Sequence, residues 1–256
     1  MNKIAFVSGA SSGIGSAIAL GLAGDGFDVF VHYNKGKERA LKIVEQIQEL
    51  GQSAYPINAD LTSEFEVKKL PDEVGKYSDK IDLLVNNAGF DYGYLFEEYT
   101  IEQMRYVLNS VLFSTVMVTK VLLNLLKASN SGQIINIASR MGKERSTPTT
   151  SIYGPAKAGV IKFTEVLAIE LSKYKIRVNC VSPGLVRTPM TEDLYIKRAG
   201  SKDLADNVWK DLDIKNPSGR VGKPLDVANA VSFLASDNAA YINGETLNVN
   251  GGSNLG

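Results

Sequence analysis

A tyrosine and a lysine stand four residues apart in Ser151-Ile152-Tyr153-Gly154-Pro155-Ala156-Lys157-Ala158-Gly159, at the head of a stretch that reads as a helix. Residues i and i+4 share one helix face, so the Tyr153 phenol and the Lys157 ammonium can occupy one small volume. A phenol ordinarily titrates near pKa ~10 and is protonated at neutral pH. A fixed positive charge beside it favours the phenolate and lowers that value, giving a proton donor and acceptor usable near physiological pH. The bland alternative is an ordinary Tyr and a solvated Lys, and spacing alone favours it. The pair gains weight only if a cofactor site exists elsewhere in the chain.

The N-terminal end supplies one. The apolar run Ile4 to Val7 passes into Ser8-Gly9-Ala10-Ser11-Ser12-Gly13-Ile14-Gly15, and a helical pattern follows through Ile18, Leu20, Leu22 and Ala23 to Gly24 and Gly26. Strand, glycine-rich turn, helix is the context that makes a glycine motif a phosphate site. The helix start offers unpaired N–H groups and a positive dipole end to a pyrophosphate. Glycines let the backbone come close, and Ser11 and Ser12 add hydroxyl donors. The spacing is Gly-x-x-x-Gly-x-Gly, not the Gly-x-Gly-x-x-Gly of the best-known dinucleotide turn. Taken alone, it is also an ordinary turn between a strand and a helix.

The elements that must position these groups alternate. Val29 to Tyr33 reads as a strand, Lys37 to Leu50 as an amphipathic helix closed by Gly51, and Ser53 to Asn58 as a strand leading to Asp60-Leu61. Glu64 to Tyr77 is helical, with Pro71 expected to kink or split it. Ile81 to Val85 is an apolar run ending in Asn86-Asn87-Ala88-Gly89, and Glu102 to Lys127 carries one long helical period. Ile134 to Ala138 is a strand ending at Ser139. The Tyr153 helix runs to about Tyr174, and Ile176 to Val181 is a strand ending at Ser182-Pro183-Gly184. Thr191 to Trp209 is polar and ambiguous, Leu225 to Ala235 is helical, and Glu245 to Asn250 is a last strand. Such alternation predicts an α/β fold: one domain spanning 1–256, a Rossmann-type doubly wound parallel sheet with helices on both faces. In such sheets ligands bind beyond the carboxyl ends of the strands, so Asp60, Asn86-Asn87, Ser139, Pro183-Gly184 and the glycine turn converge on one rim.

Totals narrow the class. Of 256 residues, 44% are apolar, as in a folded globular chain rather than a disordered one. Basic and acidic residues balance at 28 each, which argues against nucleic acid as a partner. Cys180 is the only cysteine, which excludes an internal disulfide and fits a reducing compartment. His32 is the only histidine, so a multi-histidine metal site is excluded. The first apolar run is too short for a signal peptide, and no uninterrupted apolar stretch reaches the ~20 residues of a membrane span. A soluble cytoplasmic protein is the expectation, with no metal and no membrane partner.

With these motifs in order, the chain resembles the short-chain dehydrogenase/reductase family over almost its whole length, and within it the 3-oxoacyl-[acyl-carrier-protein] reductases. Ser8 to Gly15 resembles the cofactor turn, with Ser where the family usually has Thr, and Asp60-Leu61 the adenine-side contact. Asn86-Asn87-Ala88-Gly89 matches the element behind the cofactor. Asn109, Ser139, Tyr153 and Lys157 align with the catalytic tetrad. Pro183-Gly184, Val186 and Thr188 resemble the turn that holds the carboxamide, and the stretch from Gly219 to Gly252 is also typical. The resemblance implies hydride transfer between a nicotinamide and a carbonyl or alcohol carbon. In it Tyr153 is the acid/base and Ser139 orients the oxygen. Lys157 lowers the Tyr153 pKa and holds the ribose, and Asn109 anchors a water that relays protons to Lys157. Asn109 lies inside a long apolar helix, and a helix-kinking Asn with a structural water is an equal reading. Family members are commonly homotetramers, packed through the Asn109 and Tyr153 helices.

The residue after the second strand sets the cofactor. An acidic residue there takes the ribose 2′-OH of NAD, whereas a nearby basic one admits a 2′-phosphate. Tyr33 is not acidic, and Asn34, Lys35, Lys37 and Arg39 follow, so NADP(H) is preferred over NAD(H), although Ser12 stands where NADP-preferring relatives often carry a basic residue. The carbonyl compound stays open. Carrier-protein docking is in doubt, because Asn130-Ser131 and Tyr174 replace the usual basic residues, with Lys127, Lys173 and Lys175 as neighbours. Residues 191–216, with Leu194, Tyr195, Ile196, Leu204 and Trp209, could form a substrate lid, Trp209 fitting a subunit contact better. Phe90, Tyr92 and Tyr94 could wall the substrate. The alternatives are an NAD-dependent alcohol or sugar dehydrogenase of the same family, and a non-catalytic dinucleotide-binding regulator.

Overall fold

In the computed structural model, which describes residues 2–143 and 147–253, the strands show why their apolar runs are nearly continuous. Successive side chains of a strand point to opposite faces. Ala5 and Val7 of β1 (Lys3–Val7) join one core with Val29 and Val31 of β2 (Phe27–Tyr33), while Phe6 and Phe30 join another on the opposite side. A strand covered on both faces cannot alternate with polar residues.

The remaining elements follow in order. Helix α1 (Gly13–Gly24) lies between β1 and β2, and α2 (Lys37–Glu49) leads to β3 (Ala54–Asn58). Then come α3 (Glu64–Val67), α4 (Leu70–Gly75) and β4 (Leu83–Asn86). The long apolar period is α5 (Ile101–Leu108), a π-helical turn (Asn109–Phe113) and α6 (Ser114–Lys127), before β5 (Gln133–Ile137). The chain ends with α7 (Tyr153–Leu171), β6 (Arg177–Pro183), α8 (Pro189–Ala199), α9 (Lys202–Lys215), α10 (Pro224–Ala235) and β7 (Thr246–Val249).

These strands form one parallel seven-stranded sheet in the order β3-β2-β1-β4-β5-β6-β7. Val7 is in register with Val31 on one side and Val85 on the other, so the order reverses beside β1. That switch point opens a crevice beyond the strand ends. On one face α1, α2 and α10 cover the sheet through Ile18, Leu22, Val44, Val227 and Val231. On the other, α4, α6 and α7 do so through Val74, Val118, Leu122 and Leu171.

Local differences from the expected elements have local causes. Pro71 does split the helix at 64–77, and it stands in the first turn of α4, where its missing N–H has no partner to lose. The ambiguous stretch at 191–209 is two helices: Thr188 and Ser201 cap them by accepting from Thr191 and Leu204 N–H, and Gly200 at φ 86° ends the first. Ile101–Lys127 is long and apolar enough to cross a membrane, at mean hydropathy 1.6. Half of that stretch is buried, and Val118, Leu122 and Leu126 lie in the core against the sheet.

Candidate active site

The glycine turn after β1 is held from behind by the end of β4. Ser8 Oγ accepts from the backbone N–H groups of Asn87 (2.9 Å) and Ala88 (3.0 Å), and Asn87 Nδ2 donates to the Ser8 carbonyl at 2.9 Å. Gly9 and Gly13 have φ +65° and +59°, the left-handed region that glycine enters without a steric penalty. A Cβ on Gly15 would strike the Gly9 carbonyl and Asn87 Nδ2, so that position packs the helix onto its own turn. Ser12 caps α1 without a side-chain hydrogen bond, and no acidic residue lies in the first turn. The first N–H groups of α1 are therefore left to an outside anion, and the turn fits a pyrophosphate. Ile14 packs on the core behind it.

Around this turn the structure gathers most of the expected residues. Thr188 side-chain carbons stand 3.5 Å from where a Gly13 Cβ would be, so the turn after β6 brackets the one after β1. Gly184 fits tightly against β7's end, where an added Cβ would meet Asn250 Cα at 2.9 Å, and Val186 pairs with Gly222. At the end of β3 the Asp60 carboxylate accepts from Thr62 N–H at 2.9 Å and Thr62 Oγ1 at 2.7 Å. Leu61 is turned into the core below the site. After β2, Tyr33 is buried, whereas Asn34 and Lys35 are exposed. Of the basic residues that follow β2, Arg39 reaches the turn: a Cβ on Gly36 would lie 2.7 Å from its Nη2 and 2.9 Å from Ser11 Oγ. Its guanidinium thus lies beside the cofactor turn.

The second cluster sits where β5 ends against α7. Tyr153 is the first residue of α7, and Ser139 leads into a short 3-10 turn, its Oγ accepting from Met141 N–H at 3.2 Å. That turn rests on α7 through Gly142, where a Cβ would meet the Lys157 carbonyl carbon at 2.6 Å. Lys157 is buried; its Nζ lies 5.6 Å from the centre of the Tyr153 ring and donates to the Ile137 carbonyl at 2.6 Å. Burial pushes the Lys157 ammonium down to about 8. Burial also dominates at Tyr153, driving the phenol up to about 12; the hydrogen bond with Ser139 pulls it down, and the Asp91 carboxylate adds to the rise. The lowering of the phenol pKa expected from Lys157 does not emerge in this arrangement, where desolvation is the largest influence.

Asn109 is not brought to this cluster. It is exposed on the outer side of the π-helical turn, while Val111, two residues on, is fully buried. One side chain of the turn thus meets solvent and the other the core. Val111 Cγ2, Lys157 Nζ and the Ser110 carbonyl oxygen lie 3.4, 3.7 and 3.9 Å from where a Gly89 Cβ would be, so it is the backbone and Val111 of this turn, not the Asn109 side chain, that border the space near Lys157. Asn109→Ala is accordingly expected to leave kcat within about twofold, against a loss of at least about 10²-fold if its side chain relayed protons. Steady-state kinetics of the variant decide between these.

Phe90, Tyr92 and Tyr94 belong to a larger aromatic cluster. Phe90, Tyr92 and Tyr94 touch in series at 4.9 and 5.5 Å between ring centres, and Tyr99 and Tyr106 extend the cluster. Asp91 accepts from the Tyr99 hydroxyl at 2.7 Å, and burial holds its carboxyl above the ordinary range. Trp209 does not offer itself to a neighbouring subunit: it is 2% exposed, packed against Tyr195 at 4.7 Å and under the Arg187 guanidinium. It is the small core of the α8–α9 hairpin. Arg198 of α8 donates to the Gly93 carbonyl at 2.8 Å and to Thr149 Oγ1 at 3.3 Å, tying the hairpin to both rims of the cleft.

A family model described as Enoyl-(Acyl carrier protein) reductase matches residues 9–254. The 3-oxoacyl-[acyl-carrier-protein] reductase FabG of Staphylococcus epidermidis is 39% identical over 253 residues, covering 98% of this chain and 99% of the relative. A 3-oxoacyl-[acyl-carrier-protein] reductase of Synechocystis is 38% identical over 252 residues, covering 98% and 96%. Among solved structures, the Pseudomonas aeruginosa RhlG/NADP active-site complex superposes with a TM-score of 0.89 at 31% identity, covering 99% of this chain and 96% of that one.

Proposed function

The chain belongs to the short-chain dehydrogenase/reductase family of oxidoreductases, and from that premise we propose that it is an NADPH-dependent reductase converting a ketone, of the 3-oxoacyl thioester kind, to a secondary alcohol. The observation that carries this reading is the meeting of Ser139, Tyr153 and buried Lys157 at one end of the crevice, with a pyrophosphate-fitting turn at the other. Bound NADPH would supply the hydride to the carbonyl carbon. Tyr153 donates its phenolic proton to the carbonyl oxygen, and Ser139 hydrogen-bonds the same oxygen and orients it. Lys157 sits beneath the phenol, able to reach a ribose and to restore a proton. A phenol near 12 stays protonated across the physiological range, which suits the donor of a reduction better than the base of an alcohol oxidation.

Cofactor choice rests on Arg39 beside Ser11, with Asn34 and Lys35 at the same mouth. A guanidinium reads a phosphate through charge-assisted hydrogen bonds that no lost hydroxyl contact replaces. Arg39→Ala is expected to raise the KM for NADPH about 10- to 100-fold while leaving that for NADH nearly unchanged. Equal KM values for NADPH in the two proteins would show that another group reads the 2′-phosphate.

The α8–α9 hairpin, roughly residues 191–216, acts as the substrate lid. Lys127 and Lys173 both lie against the Tyr174 ring, at 4.0 and 5.2 Å, and supply positive charge for an acidic carrier despite the neutral residues around them. Exposed Leu108 and Phe113 near α5 and α6, with Val166 and Ile169 on α7, support a homotetramer packed through these helices. Catalysis in the cytoplasm completes the reading. Its test is turnover of NADPH and of NADH against a panel of ketones and an acetoacetyl thioester. NADPH oxidation with the thioester or a ketone supports it; a preference for NADH with alcohols or sugars favours the dehydrogenase alternative.

A further inference from the structure

We propose that His32 is a positioning residue for the dinucleotide: its ring braces the phosphate turn against the adenosine-side loop, so that one side chain sets the geometry of both. The inference rests on the cofactor reading above. His32 lies on β2 and is 2% exposed. Its Nδ1 accepts from Gly9 N–H at 3.0 Å, and its Nε2 meets the Ala59 carbonyl at 3.0 Å. Because Nδ1 must accept, the proton is on Nε2, which donates. The His32 carbonyl also accepts from Ala10 N–H at 2.8 Å, and Ala59 N–H donates to the Tyr33 carbonyl at 3.1 Å. The ring therefore joins the first residue of the glycine turn, in its left-handed conformation, to the residue just before Asp60. Phe6, its ring centre 6.0 Å away, stacks on the imidazole and fixes its plane.

Neutrality is required, since a doubly protonated ring has no acceptor for Gly9 N–H. Burial supplies it, pushing His32 down to about 4, opposed by the Ala59 carbonyl and the Asp60 carboxylate. A merely space-filling role would need neither nitrogen in place. The sequence placed His32, the lone histidine, on the second strand beside the expected adenosine site, but gave no sign of this geometry, because the Gly9 partner lies 23 residues away.

Three variants separate the roles of the nitrogens. Asn places an amide oxygen where Nδ1 lies and keeps the acceptor for Gly9. Gln reaches with its amide to the Nε2 position and keeps only the donor for Ala59. Phe keeps the ring and neither bond. NADPH is titrated into each apoprotein by calorimetry, with circular dichroism and thermal melting of the apoproteins alongside. The expected result is a Kd about tenfold or more weaker for His32→Gln and His32→Phe, and within about threefold of wild type for His32→Asn. Equal Kd values in all four proteins would overturn the proposal, as would equal losses for Asn and Gln, which would mark a packing role. If His32→Phe fails to fold, the Asn and Gln pair still decides. Wild-type protein that binds neither NADPH nor NADH would instead bring down the cofactor reading, and this inference with it.

Discussion

Tyr153→Phe is expected to lower kcat for NADPH-dependent carbonyl reduction by on the order of 10²- to 10⁴-fold while leaving the Kd for NADPH within about twofold. The change removes one oxygen from a phenol that is hydrogen-bonded with Ser139 and partly buried at the head of α7. It leaves the ring, and with it the packing against the aromatic and aliphatic cluster of Val111, Ala156 and Val160. Losing a transition-state proton donor falls on kcat, whereas losing uniform binding would fall on KM. Since the phenol is held up to about 12, wild-type reduction should not decline through loss of the Tyr153 proton anywhere below about pH 10. A variant retaining more than about a tenth of wild-type kcat would remove Tyr153 from the proton-transfer step.

The second large effect concerns Lys157, where activity and stability should move in opposite directions. Its ammonium is buried, donates at 2.6 Å to the Ile137 carbonyl, and titrates at about 8 rather than the ordinary 10.5. A base whose folded pKa is depressed costs the folded state stability while it is charged in both states. That cost is present below about pH 8 and disappears as pH rises through the unfolded value. The difference between about 8 and 10.5 corresponds to about 3 kcal/mol. The apoprotein should therefore gain about 3 kcal/mol relative to Lys157→Met between about pH 7 and pH 10.5, and urea denaturation at both ends of that window measures it. Met also strands the Ile137 carbonyl, which costs about 1–3 kcal/mol at every pH and so does not alter the difference. Stability curves that run parallel with pH would show that the folded-state pKa is ordinary. Turnover in the variant should fall by at least about 10²-fold, and wild-type kcat should decline as pH rises through about 8.

Much of the architecture was legible in the residues because two periods overlap little. Runs such as Ile4 to Val7 are apolar at every position, as strands buried on both faces require, and the intervening stretches repeat at helical spacing. The rim could be anticipated because Ser139, Asn87 and the glycine turn each follow such a run directly. The side on which Asn109 stands could not. Its helix widens into a π-helical turn that begins at Asn109 itself, and no residue pattern announces where such a turn interrupts the helical period. The partner of Lys157 is a backbone carbonyl, which no pattern of side chains reveals. The sign of the Tyr153 shift depends on how completely the pair is buried, a property of packing rather than of spacing. Trp209 read as an interface residue because a large aromatic in a polar stretch has no visible partner, yet Tyr195 and Arg187 enclose it within the hairpin. The same stretch was ambiguous in the residues because it is polar throughout, and it resolves into two helices through the caps Thr188 and Ser201 and the stop at Gly200.

The central claim is hydride delivery to a carbonyl carbon at the Ser139–Tyr153–Lys157 cluster. NADPH deuterated at the transferring position of the nicotinamide, turned over with acetoacetyl thioester or the best ketone of the panel, tests it directly. One deuterium is expected on the carbinol carbon of a single product enantiomer with wild-type protein, and the same labelled alcohol formed at least about 10²-fold more slowly with Tyr153→Phe. Labelled alcohol formed equally by both proteins would contradict it, as would an alcohol bearing no deuterium.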